Sequence, residues 1–200
     1  MKKVLGYLTN LWYTLIENRD DTSKRSGVIR MKAKYSALDI ATWLIYKTNS
    51  EMKENQASND SYEVYEGLTH LKLQKLLYYA QGISLSVTGE PLFNDKIQAW
   101  EHGPVVKLVF ETFNHKGRNE ITIADAPRGV ETIRAIESDT SAREILNMTY
   151  DNFAIYTAWQ LRNMTHKVDT PWYKTYFPGK NNVISLSLIK QYFDENIMQD

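Results

Sequence analysis

The sequence predicts a mainly α (α+β) fold: a compact helical domain of about six helices with a small two- to three-stranded antiparallel β element. Three observations predict it. Apolar residues recur at helical spacing in several separate segments. Only two short stretches, Phe93–Trp100 and Asn119–Ala124, alternate as strands do. The chain has 200 residues, 42% hydrophobic and 24% charged, which suits one soluble globular domain with a sizeable core and a small appendage.

The first 30 residues form the appendage. Val4, Leu5, Leu8, Leu11, Trp12, Leu15 and Ile16 fall at helical spacing, and Asn18–Gly27 is a polar linker. With six Lys/Arg and three Asp/Glu this segment carries +3, so the remaining 170 residues carry −3. Three readings compete: an amphipathic helix docking on the domain or on a partner, a membrane-surface helix, or translated upstream sequence, with Met31 the natural start. Thr9 and Asn10 interrupt the apolar run and no small-residue cleavage site follows, which argues against a signal peptide.

From Met31 the domain proper, residues 31–200, is expected. Tyr35–Lys47 reads as a short helix capped by Ser36 with Asp39 three residues on. Leu38, Ala41, Leu44 and Ile45 form its buried face. Thr48–Gly67 is polar and reads as a surface loop. Leu68–Phe113 organises the rest. Leu73, Leu76, Leu77, Ala80, Ile83 and Val87 line one helix face, Thr69 is the N-cap, and Gly89 with Pro91 stops the helix. Lys72, Lys75 and Tyr79 lie off that face and are expected to reach solvent or a partner. In the strand that follows, Ile97 and Ala99 alternate with Lys96 and Gln98. Pro104 is expected at position N1 of a helix, with Val105, Leu108, Val109 and Thr112 as its buried stripe.

Gly117 should end that helix, and Asn119–Ala124 should pair with Ile97–Trp100. Asp125–Asp139 is mixed. Thr140 or Ser141 should cap a helix whose core side begins with Ile145, Leu146, Met148 and Thr149. Ala154–Lys167 is expected as one helix, with Ile155, Ala158, Trp159, Arg162 and His166 on one side and Pro171 blocking its continuation. Phe177–Lys180 is a turn. Ser185 caps a last helix packed through Leu188, Ile189, Tyr192 and Phe193.

Composition excludes several functions. Zero net charge argues against a general nucleic-acid binder. Zero Cys rules out a disulfide scaffold, a thiolate zinc site and a Cys nucleophile, and fits a reducing cytoplasm. No apolar run reaches the roughly 18 residues of a membrane span. The four His show no HExxH pair or two-His-one-carboxylate spacing. His102 and His166 could meet near Glu101 and Asp169. The plainer assignment is that His102 orders the Gly-Pro turn and His166 caps its helix. There is no GxSxG elbow and no Gly-rich phosphate loop. Lys72, Lys75, Tyr78, Tyr79 and Trp100 resemble a stacking platform for single strands, but Glu66, Glu90 and Glu101 weaken that. Thirteen Tyr and five Trp serve either amphipathic packing or a protein-binding surface.

Residues 72–82 (KLQKLLYYAQG), 89–93 (GEPLF) and 99–106 (AWEHGPVV) together resemble the signature of the Panacea domain, the family of prophage-associated SocA/GepA-like proteins. Ala37–Ile45 sits where that family's first helix sits. Leu161–His166 followed by Pro171-Trp172 resembles its late L-T-H…P-W element. The resemblance covers roughly Tyr35–Phe193. It implies a cytoplasmic antitoxin of a type II toxin–antitoxin pair that neutralises a cognate protein toxin by direct stoichiometric binding, without catalysis, cofactor, nucleic acid or membrane. The alternatives it leaves are a proteolytic adaptor delivering a toxin to a cellular protease and a phage-encoded interaction protein aimed at a host factor. The family-motif residues are Lys72, Leu73, Lys75, Leu76, Tyr78, Tyr79, Gly82, Trp100, His102, Gly103, Pro104, His166, Pro171 and Trp172. They are expected mostly to hold the fold; the exposed strip Lys72, Lys75 and Tyr79 beside Trp100 and His102 is either the rim of the core, the favoured reading, or a common docking surface. Toxin contact is expected on residues 1–30, 48–67 and 114–140.

Overall fold

A computed structural model describes residues 33–57 and 67–198. The expectations for residues 1–30, and for the middle of the polar stretch at 58–66, lie outside the described residues.

Helix α1 spans Ala37–Ala57 and α2 spans His70–Thr88. Strands β1 (Ile97–Trp100) and β2 (Gly103–Val106) follow. Six further helices complete the chain: α3 (Lys107–Phe113), α4 (Val130–Ser138), α5 (Thr140–Phe153), α6 (Ala158–Thr165), α7 (Pro171–Thr175) and α8 (Leu186–Asn196). The fold is therefore mainly helical with one small antiparallel sheet, as the apolar periodicity predicts. Two short helices, α4 and α7, add to the six expected.

Most elements pack on α2, while α4 packs on α1 and α5, and α7 on α6 and α8. Thr69 caps it by accepting from the Lys72 N–H, and Gly89 ends it in the left-handed region at φ 77°, its N–H reaching the Leu85 carbonyl. Every residue from Lys72 to Leu85 is buried. Helices α8, α5, α6, α1 and α3 and strand β2 surround it, so no face is left for solvent. This overturns the expectation that Lys72, Lys75 and Tyr79 form an exposed strip. An apolar stripe marks the face that must be buried. It does not show that the other faces are free, and here other elements cover them.

Polar groups on those covered faces are satisfied as burial requires. Gln81 accepts from the Leu92 and Phe93 N–H groups at 2.9 and 3.2 Å and donates to the Phe93 carbonyl at 2.9 Å. Two turns earlier, Gln74 accepts from the Val106 N–H at 2.8 Å and donates to its carbonyl at 3.2 Å. Each side-chain amide takes the place of a neighbouring strand and holds an extended segment against the helix. Opposite, Tyr79 stacks on Phe153 at 3.9 Å, and Tyr78 and Tyr79 meet the Phe193 ring edge-on at 5.6 and 5.9 Å.

The strands pair antiparallel through the Glu101-His102 turn, with Ala99 opposite Pro104 and Trp100 opposite Gly103. The other edge of β1 is met by Val183, as the Ala99 N–H donates to the Asn182 carbonyl and the Ile184 N–H to the Ile97 carbonyl. Pro104 is thus a strand residue and not the start of a helix. Gln74 holds Val106 extended, and α3 begins only at Lys107. Its buried stripe reduces to Val109 and Phe113, while Leu108 is exposed.

Other differences have similarly local causes. α1 continues ten residues past Lys47, because the Asn49 side chain joins the Ile45 carbonyl to the Ile121 carbonyl and the Ile123 N–H. Asn119–Ala124 does not pair with β1. Its Ile121 N–H goes to the Leu68 carbonyl, and Thr122 and Asp125 close a capping box on a short 3₁₀ turn. Asp139, not Thr140 or Ser141, caps α5. The expected helix Ala154–Lys167 starts only at Ala158, because Thr157 and Gln160 make a capping box there. Its buried side is Ala158, Leu161 and Thr165, which leaves Ile155 and Trp159 outside. Pro171 opens α7 behind the Thr170 cap and so starts a helix as well as ending one.

Gly82 sits under Phe193, whose ring carbons lie 2.2–2.4 Å from where a Cβ would stand. Gly82→Ala should lose about 1–3 kcal/mol by overpacking, despite the better helix propensity of Ala. Combining it with Phe193→Leu should cost less than the sum of the two single changes in urea unfolding. Strict additivity would show that the two residues do not share the space.

Candidate functional site: a buried lysine beneath the Gly-Pro hairpin

Lys75 lies in the second turn of α2 and is 0% exposed. Its ammonium carbon chain runs under the β1–β2 hairpin, and Nζ donates to the Pro104 carbonyl at 3.0 Å. Gly103 takes φ +106°, where side chains are strained. A Cβ there would also stand 2.6 Å from Lys75 Nζ and 3.0 Å from Thr165 Oγ1. Glycine is therefore required twice at this position, once by the backbone and once by the lysine beneath it.

α6 and α7 close the other side. Thr165 Oγ1 donates to the Arg162 carbonyl at 2.8 Å. His166 caps α6, with Nδ1 2.7 Å from the Arg162 carbonyl and Nε2 3.1 Å from the Glu101 carbonyl in the hairpin turn. Trp172 Nε1 donates to the Trp100 carbonyl at 2.7 Å, and its ring lies 3.6 Å from the His166 ring and 4.6 Å from Tyr176. Trp100 in turn packs on Phe110, and its indole N–H reaches Gln98.

Burial pushes the Lys75 amine down to about 7, and the Arg162 guanidinium adds to the shift. His166 and His70 are also lowered, in each case chiefly by burial. Among the described residues no group of three or more His, Cys, Asp or Glu is placed to hold a metal ion. His166 bonds to the hairpin carbonyl, whereas exposed His102 sits 6.4 Å from the Trp159 ring, so the two do not converge as a ligand pair. An amine sealed from solvent against a carbonyl positions backbone and offers nothing to an external reactant.

The structure thus gathers Lys75, Gly103, Pro104, Trp100, His166 and Trp172 into one joint between α2, the hairpin, α6 and α7. Leu73 and Leu76 are core residues, and Lys72 is buried on the same helix. Pro171 is buried at the start of α7. Tyr78, Tyr79 and Gly82 belong to a separate aromatic cluster against α8. The basic-aromatic set read as a stacking platform is consequently interior, apart from half-buried Trp100. Gln74, Gln81 and Thr165 lie inside the quoted motif stretches, but sequence reading assigned them no role. The two glutamines gave a signal in their seven-residue spacing inside an apolar helix.

The profile of the family described as Antitoxin SocA-like, Panacea domain, matches residues 73–173, from α2 through the joint to α7. The chain is also similar to Antitoxin SocA of Caulobacter vibrioides (strain NA1000 / CB15N), at 31% identity over 109 residues. That alignment covers 52% of this chain and 58% of the relative, so the chain spans less than two thirds of that protein. No solved structure matches.

The lowered Lys75 value fixes a pH dependence. Unfolded, the amine keeps its proton to about pH 10; folded, it releases it near 7. Between those values the unfolded state binds the extra proton, so raising pH favours the fold. From pH 7 to about 9.5 the wild type should gain stability over Lys75→Met at up to about 1.4 kcal/mol per pH unit, with no further change below pH 7. Tyr78 and Tyr79, whose values are raised by burial, act only above about pH 10 and are common to both proteins. Parallel stability–pH curves from chemical unfolding would contradict a neutral buried amine.

Proposed function

The chain belongs to the family of SocA-like antitoxins with a Panacea domain, and from that membership we propose that it is the antitoxin of a type II toxin–antitoxin pair. It binds a cognate protein toxin directly and silences it by stoichiometric occlusion, without turnover or cofactor, in the cytoplasm. The observation that carries this reading is the extent of the family match. It spans α2, the hairpin, α6 and α7, and so includes the Lys75 joint on which the fold is assembled. The similarity to a protein named as an antitoxin points the same way. Among the described residues no helix is long and apolar enough to cross a membrane.

On this reading residues 31–200 form the working domain. The motif residues Lys75, Gly103, Pro104, His166 and Trp172 shape it from within, leaving recognition to side chains that face out. Neutralisation by occlusion predicts a definite stoichiometry. With the product of the reading frame beside this gene expressed in trans, co-expression of the full chain should restore growth. Titration of the purified pair should reach full inhibition at equimolar ratio, and the toxin's half-life should be unchanged. A plateau at strongly substoichiometric chain would indicate catalysis, and a shortened toxin half-life would indicate delivery to a protease; either result would replace occlusion.

A further inference from the structure

Ten large apolar side chains stand exposed among the described residues, and five of them (Ile155, Trp159, Val168, Tyr173 and Phe177) fall within residues 155–177. This stretch comprises α6, α7 and their flanks. Its centre is organised. Trp159 is 58% exposed, yet the Arg162 guanidinium lies 5.2 Å over its ring and His102 of the hairpin turn meets it edge-on at 6.4 Å. Arg162 Nε is buried with no hydrogen-bond partner. From Arg162 the contacts continue through its carbonyl to His166, then to Trp172 and Tyr176, so the Trp159–Arg162 pair is tied to the Lys75 joint.

The charge of the stretch also differs from its surroundings. Residues 155–177 hold Arg162, Lys167 and Lys174 against Asp169, a net +2, on a domain whose residues 31–200 sum to −3. Trp, Tyr and Arg are the side chains that dominate protein interfaces. Arg162 Nη1 donates to Asn163 Oδ1 at 3.2 Å and Nε is buried, so a carboxylate would meet the remaining N–H groups of a guanidinium held against the indole. A single-stranded nucleic acid would also use aromatics and cations, but a net +2 on an acidic body is a poor match for a polyanion.

We propose that the α6–α7 surface around Trp159 and Arg162 is the docking site for the protein partner, and that the partner presents carboxylates flanking an apolar or aromatic side chain. This rests on the reading that the chain works by binding a protein. It moves recognition away from residues 1–30, 48–67 and 114–140, the segments favoured on sequence grounds.

The test uses the purified full chain and a glutamate-rich random copolymer of Glu and Tyr as probe. Saturable binding that weakens with salt is expected. Trp159→Ala and Arg162→Lys should each weaken it by roughly tenfold. Leu108→Ala and Val130→Ala, exposed apolar sites elsewhere, should leave it unchanged, and all four variants should melt like the wild type. Absence of binding, equal binding by Trp159→Ala, loss in Val130→Ala, or tighter binding of poly(U) through the same side chains would overturn the assignment. A separate arm scores growth rescue against the neighbouring gene product. Failure of the wild type there would sink the antitoxin reading, while the copolymer measurements would still decide the surface.

Discussion

A primary amine buried without a carboxylate partner is costly, since desolvation penalises its charged form. Here Lys75 donates to the Pro104 carbonyl and sits under Gly103, and the rest of the structure is arranged around that contact. The lysine needs a residue without a side chain above it, and the hairpin needs a donor from below. α6 then needs Thr165 and His166 at its end to close over the turn. Loss of protonation relieves the desolvation cost while leaving an N–H donor in place, which is why the amine can stay in the core at neutral pH. The joint links two stretches distant in sequence, α2 with the hairpin and α6 with α7, and α7 is fastened to it by the Trp172–Trp100 hydrogen bond.

The central helix depends on the same kind of solution. α2 carries Lys72, Gln74, Lys75, Gln81 and Ser84 in a buried environment. Each glutamine trades its hydration for hydrogen bonds to extended backbone, and so fixes where the chain runs after the helix ends. On the opposite side Gly82 admits Phe193, which brings α8 close enough for the Tyr78–Tyr79 cluster. Polar clamps therefore position the hairpin side, and aromatic packing positions the α8 side.

Much of this was legible in the sequence, and the misses have physical causes. The caps Thr69, Ser185 and Gly89 act locally, so reading them needs only neighbouring residues. The strand Ile97–Trp100 was clear from its alternation, but its partner was not. Asn119–Ala124 alternates too, and only tertiary hydrogen bonds to Leu68 and Asn49 assign it elsewhere. Pro104 suits a helix start and an edge strand equally well, and the Gln74 clamp decides between them. The exposure of Lys72, Lys75 and Tyr79 was misjudged because a single-sequence pattern identifies one buried face and says nothing about how many neighbours cover the others. Ala158 and Trp159 were placed on one side of their helix, but the buried face runs through Ala158, Leu161 and Thr165 and leaves Trp159 in solvent.

The motif residues divide by role along the same lines. Those that define the family's stretch of sequence mostly face inward, and the aromatic and cationic side chains beside them face out. The joint depends on the state of Lys75, which can be read directly. In protein carrying ¹³C at lysine Cε, the Lys75 resonance should titrate with a midpoint near pH 7, well apart from the other lysines, and the transition should vanish in Lys75→Met. A midpoint near the ordinary lysine value of about 10.4 would show a solvated ammonium, and the interlocked joint would not exist as described.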